Sequence, residues 1–173
     1  MNDSGGPTRV SILGATGSIG SSTLRVLTHN PEQFAVVSLV AQRNVERLAE
    51  IALRTRAEFV AIADERQFAA LKDHLSGSSI EVGAGGEAVI EAASRQADVV
   101  VSAITGSAGL RSTLAAARSG ANLALANKEA MVTAGTMVRA ALAEGGGALI
   151  PVDSEHAALF LSLWGQDRDA ITQ

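Results

Sequence analysis

Short runs of β-branched and other apolar residues alternate along this chain with stretches whose apolar positions recur every three or four residues. The first pattern predicts strands at Arg9–Gly14, Phe34–Ala41, Phe59–Ala63, Ile80–Gly83, Asp98–Ile104, Asn122–Ala126 and Ala148–Val152. The second predicts helices over Ser18–Thr28, Val45–Arg56, Glu65–Leu75, Gly86–Ser94, Leu110–Ser119 and Ala130–Glu144, with one more over Glu155–Trp164. In Val45–Arg56 the positions Val45, Leu48, Ala49, Ile51 and Ala52 keep the helical spacing. Val99-Val100-Val101 has no polar face and reads as a strand covered on both sides, as parallel strands are. Gly120 and Gly145 fall where helix ends need a left-handed residue. Gly145-Gly146-Gly147 is either a helix stop before the last strand or a hinge. Alternation of this kind predicts an α/β chain: a Rossmann-like, doubly wound, mostly parallel sheet with helices on both faces.

Composition narrows the picture. The 173 residues suffice for one domain with a sizeable core, and they are 47% hydrophobic but only 3% aromatic, so Ala, Val, Leu and Ile must build it. The net charge is −4 and no Lys/Arg cluster stands out, which argues against a nucleic-acid partner. With no cysteine, disulfides, thiolate nucleophiles and Cys-based metal sites are excluded. The polar start Met1-Asn2-Asp3-Ser4-Gly5-Gly6-Pro7 lacks the basic and apolar regions of a signal peptide, and no apolar run reaches bilayer length. A cytoplasmic location without membrane contact is therefore expected. After the Glu155–Trp164 stretch comes the polar end Gly165-Gln166-Asp167-Arg168-Asp169 with no closing element, and the chain is expected to be cut rather than finished.

The candidate chemistry begins at Gly14-Ala15-Thr16-Gly17-Ser18-Ile19-Gly20, between a strand and a helix. The first glycine suits a tight turn, the second a close approach of a pyrophosphate to the backbone, and the third close packing of helix on strand. Free N–H groups and the helix dipole then favour an anion, with Thr16 and Ser18 adding hydroxyls. The spacing is GxxGxxG rather than GxGxxG; a strand-to-helix turn without ligand is the competing reading. The second strand ends in Gln42-Arg43-Asn44, without the acid that binds the ribose 2′-OH of NAD and with an Arg available for a 2′-phosphate. That favours NADP. Alternatively, Arg43 is merely solvated and Asn44 caps the next helix.

Two more polar groups sit at strand ends, where such sheets bind ligands. In Ala126-Asn127-Lys128-Glu129, Asn127 can cap a helix, or Lys128 can donate to a substrate oxygen. In Pro151-Val152-Asp153-Ser154-Glu155-His156, Asp153 and Glu155 would point the same way if the strand persists, spaced to share Mg²⁺ or Mn²⁺. The alternative is an ordinary helix N-terminus with Asp153 or Ser154 as cap, Glu155 complementing the dipole and His156 structural. His29 and His74 read as surface residues at helix ends.

These stretches, together with Ala103-Ile104-Thr105-Gly106-Ser107-Ala108-Gly109-Leu110 and in this order, resemble the 1-deoxy-D-xylulose 5-phosphate reductoisomerase family over nearly the whole chain. The resemblance implies an NADPH-dependent homodimeric enzyme of isoprenoid precursor biosynthesis. Such an enzyme rearranges its phosphorylated sugar substrate to an aldehyde and reduces that to 2-C-methyl-D-erythritol 4-phosphate, with Mg²⁺ or Mn²⁺ stabilising developing charge. It further implies Thr16, Gly17, Ser18 and Ile19 at the cofactor phosphates and Gln42, Arg43 and Asn44 around the 2′-phosphate. Gln42 stands where the family usually carries a small residue, often Gly. Asn127 and Glu129 would contact NADPH, Lys128 and Ser154 the substrate, and Asp153 and Glu155 the metal, with Lys128 and Glu155 serving catalysis.

The family's third metal carboxylate, substrate-phosphate pocket, His-Pro-x-Trp loop and C-terminal helices have no counterpart in this sequence. Residues 1–150 are therefore expected to form the NADP-binding domain and 151–173 the start of a catalytic domain, without turnover alone. Two other readings remain at this stage. One is another NADP oxidoreductase, such as a semialdehyde dehydrogenase, which the absence of cysteine disfavours. The other is a stand-alone NADP-binding module.

Overall fold

Strand and helix alternate from one end of the chain to the other in the computed structural model, which describes residues 6–165. The first half comprises β1 (Thr8–Leu13), α1 (Ser18–His29), β2 (Phe34–Ala41), α2 (Val45–Thr55), β3 (Phe59–Ile62), α3 (Phe68–His74) and β4 (Glu81–Ala84). The second comprises α4 (Gly85–Ser94), β5 (Val99–Ser102), α5 (Leu110–Arg118), β6 (Asn122–Leu125), α6 (Lys128–Gly145), β7 (Leu149–Pro151) and α7 (Ser154–Leu163). All seven strands join one sheet in the order β4-β3-β2-β1-β5-β6-β7, and every pairing is parallel. The α/β, doubly wound expectation holds, and the sheet is wholly rather than mostly parallel.

The chain moves outward from β1 to the β4 edge, returns through α4 to β5 beside β1, and moves outward again to β7. The two cores record this path. One packs Leu24 and Leu27 of α1, Leu48, Ile51 and Ala52 of α2 and Leu71 of α3 against a sheet face. The other packs Ala88 and Ala92 of α4, Ala116 and Ala117 of α5 and Val138 and Ala141 of α6 against the opposite face. Val101 belongs to the first core and Val100 to the second, as expected of a strand covered on both sides. Alanine at the α5–α6 contact lets those helices approach closely. The reversal of direction at β1 and β5 opens a crevice beyond their carboxyl ends, the place where sheets of this kind bind ligands.

Several boundaries differ from expectation for local reasons. Glu65–Leu75 divides into a 3₁₀ turn at Glu65–Gln67, capped by the Asp64 carboxylate, and the separate helix α3. Helix α6 begins earlier than Ala130, because Asn127 caps it, and departs from helical geometry at Ala134 (φ −142°). The left-handed residue after α6 is Gly146 (φ +83°) rather than Gly145. A side chain at Gly145 would strike the backbone of Ala117 and Arg118, so the triple glycine is a tightly packed helix stop. The strand ending at Pro151 does not persist to Asp153, which starts α7 as its cap.

Helix α7 differs from the other helices in burying no residue, and Leu159, Leu161, Leu163 and Trp164 are exposed. Phe160 and Trp164 meet edge to face at 5.0 Å. Of the polar end expected after Trp164, residues 166–173 lie outside the described residues. Among the described residues no helix is long and apolar enough to cross a membrane.

Candidate active site

At the end of β1 the backbone turns at Gly14 (φ +96°), a conformation that side chains disfavour. A Cβ there would also lie 2.7 Å from the Ala103 carbonyl oxygen of the neighbouring strand's extension. A Cβ at Gly20 would collide with the Gly14 carbonyl and lie 2.7 Å from the Ala15 Cα, so glycine alone lets α1 sit this close to β1. Gly17 is the N-cap of α1 and offers no side chain to its N–H groups, and the first turn contains no acid. The N-terminus of this twelve-residue helix is thus unpartnered and carries the uncompensated positive end of the dipole. It opens on a cleft of about 660 Å³ lined by Gly14, Thr16, Gly17, Ser18 and Ile19.

Gln42 lines the same cleft from the end of β2. Arg43 beside it is mostly exposed, with its Nε 3.9 Å from Asp64 Oδ2. Asn44 caps α2 by accepting from the Arg47 N–H at 3.1 Å, so the capping role weighed for it is real. Asp64, just past β3, accepts both Arg66 Nε at 2.9 Å and Nη2 at 2.7 Å. The Arg66 hydrogen bonds, aided by the charges of Arg66 and Arg43, lower the Asp64 carboxyl to about 2.

The opposite wall joins the Ala103–Leu110 stretch to a helix that sequence reasoning did not select. Gly86, Val89 and Ile90 of α4 line the cleft, as do Thr105, Ala108 and Arg111. Only the return of α4 across the sheet brings Gly86, Val89 and Ile90 there, and no local motif signals that crossing. Arg111 pairs with Glu87 at 2.9 Å, joining α5 to α4. Beneath this wall lies a buried polar network. Ser102 Oγ and Thr113 Oγ1 are 2.8 Å apart, and Thr113 also donates to the Gly109 carbonyl. Asn127 is 2% exposed and uses its whole amide. Its Nδ2 donates to the carbonyls of Ile104 (2.8 Å) and Gly106 (2.9 Å), while its oxygen caps α6 through the Ala130 N–H (3.2 Å). A polar residue after the apolar run Leu123–Leu125 was the available signal for this role.

Lys128 and Glu129 follow on the exposed first turn of α6. The charge of Lys128 acts on both Asp153 and Glu155. Asp153 caps α7 by accepting from the His156 N–H at 2.9 Å, and His156 Nδ1 lies 2.6 Å from the same oxygen. The His156 backbone hydrogen bond holds the Asp153 carboxyl below its usual range, helped by the His156 ring and the Lys128 charge. Glu155 is lowered by its own backbone N–H, by the Ser154 hydroxyl at 3.0 Å and by Lys128. Among the described residues no group of three or more His, Cys, Asp or Glu side chains is arranged to hold a metal ion. Asp153 and Glu155 by themselves offer two hard carboxylates. Their oxygen donors fit Mg²⁺ or Mn²⁺ in kind.

The geometry agrees with comparisons to known proteins. Residues 10–135 match the family model for 1-deoxy-D-xylulose 5-phosphate reductoisomerase. Among curated relatives bearing that name, the chain is 50% identical to the one from Bradyrhizobium diazoefficiens over 95% of its own length and 40% of the relative's. It is 52% identical to the one from Rhizobium meliloti, over 94% and 42% respectively. The chain thus spans about two-fifths of the length of these relatives. A solved Zymomonas mobilis reductoisomerase in complex with NADPH superposes with a TM-score of 0.90 at 48% identity, covering 94% of this chain and 43% of that one. A solved DOX-P reductoisomerase with NADPH, fosmidomycin and magnesium gives 0.86 at 35% identity, covering 92% and 40%. Motif order, an all-parallel doubly wound sheet and these similarities agree: the chain belongs to the 1-deoxy-D-xylulose 5-phosphate reductoisomerase family.

Proposed function

We propose that this chain supplies the NADPH-binding part of an enzyme that converts 1-deoxy-D-xylulose 5-phosphate to 2-C-methyl-D-erythritol 4-phosphate. The observation that carries this reading is the unpartnered N-terminus of α1, built by glycines and opening on the cleft opposite the acid-free end of β2. Thr16, Gly17, Ser18 and Ile19 take the cofactor phosphates through backbone N–H groups and hydroxyls. Gln42, Arg43 and Asn44 surround the 2′-phosphate, with Arg43 as its cation. Asn127 serves the cofactor by holding the Ile104–Gly106 turn that forms the second wall, and Glu129 contacts NADPH from the first turn of α6.

Lys128 and Ser154 bind the substrate, and Asp153 and Glu155 hold Mg²⁺ or Mn²⁺. Lys128 supplies a fixed positive charge to substrate oxygens, and Glu155 remains ionised as a ligand. When bound, the metal supplies Lewis-acid stabilisation of negative charge and NADPH supplies the hydride. Residues 1–150 act as the NADP-binding domain and 151–173 as the start of the catalytic part, without turnover by themselves. The full-length enzyme is a cytoplasmic homodimer acting on a small phosphorylated sugar, with no nucleic-acid or membrane partner. The support is the family membership and the solved relatives that hold NADPH and magnesium.

The test is NADPH oxidation by a protein of the relatives' full length carrying these residues. Oxidation should require both the deoxyxylulose phosphate and Mg²⁺ or Mn²⁺. Oxidation that persists unchanged when the metal is omitted contradicts the reading.

A further inference from the structure

Two guanidinium groups meet one carboxylate at the β2 side of the cleft. Hydrogen bonds from Ala63 N–H to Ala41 O (2.9 Å) and from Asp64 N–H to Gln42 O (3.0 Å) tie the chain after β3 to the end of β2. They set Asp64 beside Gln42 and Arg43, and both Gln42 and Ala63 line the cleft. The Asp64 carboxylate is only 13% exposed. It fixes the following 3₁₀ turn through the Arg66 N–H at 3.2 Å and grips the Arg66 guanidinium with both oxygens. Arg66 thereby uses Nε and Nη2 and keeps Nη1. Arg43 directs Nε toward the carboxylate and keeps both Nη groups. The guanidinium side chains themselves are 70% exposed at Arg43 and 80% at Arg66.

We propose that Asp64 is a positioning residue that gathers Arg43 and Arg66 into one cationic site, and that Arg66 is a second specificity residue for the cofactor 2′-phosphate. This rests on the NADPH reading above. Two exposed guanidiniums at this distance repel each other and spread unless an anion lies between them. Asp64 is ionised throughout the neutral range and supplies that anion. The three groups together carry one net positive charge and present unused N–H donors toward solvent, which suits a dianionic phosphate. A carboxylate near the ribose would ordinarily favour the 2′-OH of NAD by accepting from it. Here both oxygens are already occupied by Arg66, so Asp64 orients cations instead of receiving a sugar hydroxyl.

Calorimetric titration of this 173-residue chain with 2′,5′-ADP and with 5′-AMP isolates the 2′-phosphate, because the two probes differ only in that group. Arg66→Ala should weaken 2′,5′-ADP binding by roughly fivefold and leave 5′-AMP unchanged. Asp64→Ala should do the same, and Asp64→Glu should recover part of the loss. A merely structural role would weaken both probes together, and that result overturns the proposal. Unchanged 2′,5′-ADP affinity in Arg66→Ala, or tighter binding in Asp64→Asn, overturns it as well. If the wild-type chain prefers 2′,5′-ADP while the variants behave like it, only this inference fails. If the wild-type chain shows no such preference, the NADPH reading fails and takes this inference with it.

Discussion

Helices α1 and α7 both begin just beyond a strand of the same sheet, and they treat their N-termini in opposite ways. At α1 the cap is Gly17, no side chain answers the N–H groups and no acid stands in the first turn. At α7 the Asp153 carboxylate fills the cap, Glu155 occupies the first turn and His156 folds back on Asp153. The first end leaves its N–H groups to face the cleft. The second satisfies itself, keeps two ionised carboxylates beside Lys128 and sits on a helix with no buried residue. The proposed phosphate site asks only for backbone geometry, and that geometry is present at Gly14–Gly20. At Asp153 and Glu155 the described residues supply two carboxylates and no third His, Cys, Asp or Glu placed to share a metal with them.

The contrast can be broken most severely at Gly20. Gly20→Ala places a Cβ against the Gly14 carbonyl and Ala15 backbone, pushing α1 off β1. NADPH affinity measured by calorimetry should fall by at least roughly 100-fold, while Asp153→Asn in the same assay should retain it. Asn127→Ala comes next. It removes the α6 cap and leaves two buried carbonyls without their donor, so urea denaturation should show a loss of about 2–3 kcal/mol. Asn127→Asp keeps the cap acceptor and loses both donors, and should still be destabilised. Arg43→Ala should weaken NADPH binding by roughly tenfold and leave NADH binding alone. Equal losses for both cofactors would deny Arg43 its phosphate role.

The smallest effect concerns α7. Asn still caps a helix, so Asp153→Asn should change NADPH affinity by less than about twofold and alter stability only through the lost charge. The folded carboxyl is lowered relative to the unfolded one, so its stabilising effect is full above the ordinary carboxylate range. It disappears as pH falls through the lower, folded value. Thermal unfolding of variant and wild type should therefore differ at neutral pH and converge in acid. A difference that grows on acidification would mean the charge is unfavourable in the folded chain.

Most of the scaffold was legible because it depends on local pattern. Two-sided apolar runs marked the strands, and Gly14, Gly17 and Gly20 marked the tight turn from β1 into α1. The capping alternatives weighed for Asn44, Asn127 and Asp153 all proved to be real hydrogen bonds. What escaped is non-local. The second cleft wall depends on α4 crossing from the far edge of the sheet, which brings Gly86, Val89 and Ile90 opposite the glycine turn. The Arg111–Glu87 pair and the grip of Asp64 on Arg66 likewise depend on neighbouring strand ends and helices. The notion that Asp153 and Glu155 share a strand face failed because Pro151 closes β7 and the cap starts a helix.

If the open end of α1 is a preformed dinucleotide site, it selects the 2′-phosphate without help from a metal. Calorimetric titration of the 173-residue chain with NADPH and NADH, each with Mg²⁺ and with EDTA, tests it directly. NADPH should bind one to one, at least roughly tenfold tighter than NADH and indifferent to the metal. Absent binding, preference for NADH, or an NADPH affinity that collapses in EDTA would contradict it.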